Sequence, residues 1–119
     1  MNYPDITTLS PKMQAWEKLA LLSEIARKME VQGVTIGTAT MEERRADIKT
    51  YQPLQLWSFL DTIGAEPEAK LRATYTMFPL EVSGMVNGVK IHCYGTQKDF
   101  ENIETAKKNK EARKEWTNP

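Results

Sequence analysis

With 119 residues, 40% hydrophobic and 27% charged, the chain has the composition of one globular domain, not of a disordered polymer. Lysines and arginines balance aspartates and glutamates at 16 each, and this zero formal charge argues against a protein that lives on duplex DNA. A single cysteine excludes an intramolecular disulfide and a cysteine-based zinc site, and no apolar run approaches the ~18 residues that span a bilayer.

In chain order, Met1-Asn2-Tyr3-Pro4-Asp5 carries no basic and apolar leader pattern, so the protein is expected inside a cell, in the cytoplasm. Ser10 and Pro11 read as the cap and first residue of a helix over about Pro11 to Glu30. Its apolar stripe is Ala15, Leu19, Leu22, Ile25, Ala26 and Met29, with Trp16 and Leu21 on the flanks. Val34 to Ile36 reads as a short strand, and Gly37-Thr38-Ala39-Thr40 as a loop. Thr40 followed by Glu43 has the capping-box spacing, which predicts a charged second helix from about Met41 to Thr50.

Pro53 opens a third helix, expected to reach Ile63 and stop at Gly64. It carries Leu54, Leu56, Trp57, Phe59, Leu60 and Ile63, apolar nearly all round, and so is expected to be deeply buried or covered by a partner. Leu71 to Met77 alternates as a strand, and Pro79 marks a strand end, a bulge or a sheet edge. Asn87-Gly88 predicts a type I′ hairpin over residues 81–94, because both residues tolerate positive φ. That turn sets Val86 opposite Val89, Gly84 opposite Ile91, Ser83 opposite His92 and Val82 opposite Cys93. Thr96 and Asp99 cap a final helix, whose polar end beyond residue 107 is expected to leave the body of the domain. The expected architecture is a single α+β domain: a three- to four-stranded antiparallel sheet, a meander with hairpin 81–94, packed by N-terminal, central and C-terminal helices.

The chemistry in this pattern is sparse. His92 and Cys93 are neighbours on one strand and point to opposite faces, so they form no local dyad, and Ser83 across from His92 has no positioned acid. No catalytic residue, metal site or cofactor is therefore expected, and no enzymatic activity. Free N–H groups at the start of the charged helix, beside Thr38, Thr40, Arg44 and Arg45, would suit an anion, with Tyr75 or His92 closing over it. Tyr94, His92, Lys90 and Met85 near Arg72 offer a short stacking surface for single-stranded nucleic acid, although Glu81 opposes it.

Three tryptophans and six methionines in so small a chain point more strongly to protein contact. Trp16, Leu21, Trp57, Phe59 and Trp116 are the interface residues this predicts. The leading expectation is a non-enzymatic binding or inhibitory accessory protein that acts by protein–protein contact as a homo-oligomer. The alternative is a small-ligand binder that sequesters a phosphate-bearing or nucleotide-like molecule. Weak single-stranded nucleic-acid binding comes third. Membrane partners are not expected.

Overall fold

The structure, a computed structural model, describes residues 14–42, 45–72 and 77–117, with side chains as far as Arg113. The order is α1 (Ala15–Val31), β1 (Ile36–Met41), β2 (Ala46–Thr50), α2 (Pro53–Thr62), β3 (Glu68–Leu71), β4 (Leu80–Val86), β5 (Val89–Gly95) and α3 (Gln97–Thr117). The fold is α+β. The sheet has five strands in the order β1-β2-β5-β4-β3, which corrects the expected three or four. It is also mixed, because β2 pairs parallel to β5, with Ile48 beside Ile91 and Thr50 beside Cys93.

The hairpin has the expected register, with Val86↔Val89, Gly84↔Ile91, Ser83↔His92 and Val82↔Cys93. Asn87 at φ +52° and Gly88 at φ +82° form the turn. Its period-two pattern buries Leu80 and Val82 on β4 and Val89, Ile91 and Cys93 on β5. β4 begins directly after Pro79, as expected of a residue that cannot donate to a ladder.

The largest correction concerns residues 37–50. Thr38, Ala39 and Thr40 lie in strand β1, not a loop, and residues 46–50 form strand β2, not a helix. The reason lies in the spacing of the apolar groups. Ala46, Ile48 and Thr50 are all buried, and only a period of two puts these three positions on one face. The Thr40–Glu43 capping spacing is outweighed by pairing on both sides of β2. At the β1–β2 turn Glu42 N–H donates to the Arg45 carbonyl at 2.8 Å.

The strand expected over residues 71–77 lies earlier, at Glu68–Leu71. Leu71 pairs with Leu80, and Arg72 N–H donates to the Pro79 carbonyl at 2.6 Å, so the ladder ends where β4 begins. Met77, the last residue of the expected strand, lies outside β3 and is 82% exposed.

All three helices contribute to one core on one face of the sheet. α1 packs over β1 and β2, while α2 packs over β4 and β5 and α3 reaches β3 to β5. Leu21, Leu22, Ile25 and Met29 of α1 meet Leu56, Trp57, Phe59 and Leu60 of α2 and Ile103 of α3 in that core. The buried arc of α1 is thus turned from the expected stripe: Leu21 is inside, and Leu19 is 56% exposed. Lys18 is buried too, with its ammonium donating to the Glu42 carbonyl at 3.3 Å. Ser10 and Pro11 lie outside the described residues.

α2 starts at Pro53, whose missing N–H costs nothing in the first turn, and ends at Ile63 and Gly64, the latter at φ +76°. α3 has the expected capping box: Asp99 Oδ2 accepts from Thr96 N–H at 2.8 Å, and Asp99 N–H donates to Thr96 Oγ1 at 3.2 Å. It remains tied to α2 beyond residue 107, through Lys110 and Asp61.

Candidate functional site

α1 and α2 share one face of the sheet, and a cleft of about 820 Å³ lies between them. Its floor is the edge of the core, Leu21, Ile25 and Phe59, which are only 6%, 2% and 6% exposed. The β4–β5 hairpin closes one end with Met85, Val86 and Asn87. Around the rim stand Trp16, Val31, Ile63 and Met85, with exposures of 64%, 71%, 48% and 57%. Large apolar side chains this exposed and this close together mark a contact surface more than scattered single ones do.

Few polar groups line the cleft. Arg27 grips Glu24 along the α1 rim, with Nη2 to Oε1 at 2.7 Å and Nε to Oε2 at 3.2 Å. That hydrogen bond holds the Glu24 carboxyl below its ordinary range. Lys28, Gln32, Thr62 and Asn87 complete the polar lining. A largely apolar concavity with a few polar groups is the usual form of a binding site, and this volume lies within the ~300–1,000 Å³ of such sites. Neither the histidine nor the cysteine of the chain lines it.

Of the expected interface residues, Trp16 stands on this rim. Leu21, Trp57 and Phe59 are corrected to core positions at 6%, 7% and 6% exposure; of these, Leu21 and Phe59 still touch the cleft floor. The Trp116 side chain lies outside the described residues. Sequence reasoning missed Val31, Ile63 and Met85 as a set. The available signal was a third helix apolar nearly all round, which leaves Ile63 facing out once its other sides are buried.

The expected anion site is not assembled as supposed. Thr38 and Thr40 project from the outer sheet face, paired with Lys49 and Asp47, and no helix begins beside them. Arg45 sits at the β1–β2 turn in an ion pair with Glu42, Nε to Oε2 at 2.8 Å. Arg44 and Tyr75 lie outside the described residues. His92 shares the outer face with Lys49 and Thr38, two strands from the latter.

That outer face does gather an aromatic and cations. The Arg72 guanidinium lies 4.4 Å and the Lys49 ammonium 5.7 Å from the Tyr94 ring centroid, and His92 meets that ring edge-on at 5.6 Å. Glu81 stands directly opposite Tyr94 in the ladder. His92 Nδ1 is buried and has no hydrogen-bond partner among the described residues. Burial, with Lys90 alongside, pushes its imidazole pKa down. On the inner face, burial pushes the Cys93 thiol pKa up.

Among the described residues, no group of three or more histidine, cysteine or carboxylate side chains is placed to hold a metal ion, and no helix is long and apolar enough to cross a membrane. No family model, no curated protein and no solved structure matches this chain.

Proposed function

We propose that this protein is a non-enzymatic binding module that takes an apolar stretch of a partner protein into the cleft between α1 and α2, and acts by occupying it, as an inhibitor or accessory subunit does. The observation that carries this reading is the continuity of floor and rim. Leu21, Ile25 and Phe59 below and Trp16, Val31, Ile63 and Met85 around them form one apolar surface. A small molecule seated on the floor would leave that rim in water. A helix or extended segment laid along the cleft would cover both.

Trp16 is the natural anchor. Exposed tryptophans at the edge of an apolar concavity carry a large share of binding energy, and truncating one commonly costs about 2 kcal/mol or more, roughly thirtyfold in affinity. The test is affinity capture with the wild-type chain beside Ile63→Glu and Val31→Glu, which are at exposed positions and are expected to keep the fold, as circular dichroism would check. A partner that binds the wild type and is lost from both variants supports the reading. A partner retained equally by both places the contact elsewhere.

The volume of the cleft also suits a small apolar ligand, and this is the second reading. Native mass spectrometry separates the two. An added mass of a few hundred daltons that disappears on denaturation, and that Phe59→Ala abolishes, would favour the ligand over the segment.

A further inference from the structure

The two edges of the sheet are unlike. β3 is a short edge of four residues, preceded by Pro67 and carrying Glu68 and Lys70, the devices by which native sheets discourage added strands. β1 has six residues, Ile36-Gly37-Thr38-Ala39-Thr40-Met41, without a charge or a proline, and its only irregularity is a bulge between Ile36 and Thr38. Among the described residues no strand lies on the far side of β1.

The hydrogen-bonding phase of β1 can be read from its turn. Glu42 N–H bonds inward to Arg45, and antiparallel pairs alternate between hydrogen-bonded and non-bonded positions. Thr40 and Thr38 therefore bond inward to β2, while the N–H and C=O of Ala39 and Met41 point to the open edge. Thr38 and Thr40 share the outer face with Lys49 and Asp47, and Ala39 shares the inner face with Ile48.

This edge is complementary to itself. If two copies meet antiparallel about Ala39, the two Ala39 residues exchange both backbone bonds. Thr38 of each copy then stands opposite Thr40 of the other, a pair that hydrogen-bonds across strands. Such pairing about one residue is the two-fold, isologous contact most homo-oligomers use. The flank of α1 agrees. Trp16, Ala20 and Glu24 turn toward the cleft, so at ~100° per residue Leu19 lies on the opposite flank of the helix, above the β1 side of the sheet. Leu19 is 56% and Met41 36% exposed, and both would gain cover from a second copy. The chain has no net charge to oppose that approach.

We propose that β1 joins β1 of a second copy about Ala39, making one ten-stranded sheet across a two-fold axis, with Leu19 of each copy against the joint. The inference uses a surface separate from the cleft and does not rest on the binding function proposed for it.

The test is the mass in solution over a concentration series, by light scattering on the eluting protein. The wild type is expected to reach twice its 13.6 kDa. Ala39→Pro removes the outward N–H without taking a donor from the β1–β2 ladder, and is expected to halve the mass. Leu19→Lys, on an exposed helix flank, is expected to do the same, and decides the matter if the proline disturbs the strand. A wild type that stays at 13.6 kDa throughout overturns the proposal. So does a dimer that survives both substitutions, or one that dissolves only on Ile63→Glu in the cleft.

Discussion

Lys110 Nζ reaches both carboxylate oxygens of Asp61 at 2.7 Å and so ties the outer half of α3 to the end of α2. The stripe of α3 has thinned by this point, with Ile103 buried and Ala106 only partly covered, so the ion pair adds a polar tether where apolar packing weakens. Both side chains keep contact with water, 43% and 27% exposed, and solvent screens the attraction. Lys110→Ala is expected to lower stability by no more than about 1 kcal/mol. It should also speed amide exchange in the last turns of α3 while leaving Ile103 protected. Parallel denaturation curves and an exchange profile check this, and the stability difference should shrink at about 1 M salt.

Gly84 permits a close approach that no other residue would. A Cβ built there would stand 2.9 Å from Leu60 Cδ1, and Leu60 is fully buried. Gly84→Ala is therefore expected to destabilise by about 1–3 kcal/mol through overpacking. Leu60→Val in the same chain should recover part of that loss, because it withdraws the clashing methyl. Denaturation midpoints of the two single variants and the double variant give the coupling. Strict additivity would mean that the strain is relieved elsewhere.

His92 makes stability depend on pH in a defined direction. Burial and Lys90 depress its folded pKa, with Asp47 and Glu81 pulling the other way and Lys49 adding to the depression. The folded state thus binds the proton less readily than the unfolded chain. Its contribution is present above the unfolded value of ~6.5 and is lost as pH falls from there toward the lower folded value. Urea midpoints measured between pH ~7.5 and ~5 should fall on the acid side, and His92→Gln should flatten that part of the curve.

Cys93 should be inert in the native protein. Its side chain is wholly buried and its thiol is held protonated by that burial. Ellman's reagent is expected to react only as fast as the sheet opens, and the rate should rise in step with unfolding in urea. Fast labelling in native buffer would show that β5 opens locally.

The parts of this fold that were legible in the sequence are those set by neighbours in the chain. Asn87-Gly88 determines the hairpin register, Pro53 and Gly64 bound α2, and Thr96 with Asp99 caps α3. Residues 37–50 were misread because the decisive interaction is remote: β2 is flanked by β1 and β5, and its partner Ile91 lies far along the chain. Local capping chemistry at Thr40 and Glu43 suggested a helix, and pairing on two sides prevailed. The cleft was not legible for a similar reason. Its lining comes from α1, α2 and the tip of the β4–β5 hairpin together, and no single stretch of sequence encodes that meeting. Tryptophan count pointed to a contact surface, but Trp57 is absorbed into the core, and Trp16 alone of the two marks the rim.

The parallel seam between β2 and β5 has a consequence for how the chain acquires its shape. Each hairpin, β1–β2 and β4–β5, closes between neighbours and can form early, but the seam must bring position 48 to position 91. Closing so long a loop is the slow kind of step. During synthesis the backbone edge of β2 that faces β5 must therefore stay unpaired until the ribosome has released β5. Substitutions at Ile48 or Ile91 should accordingly slow folding more than equal losses of stability within the 81–94 turn.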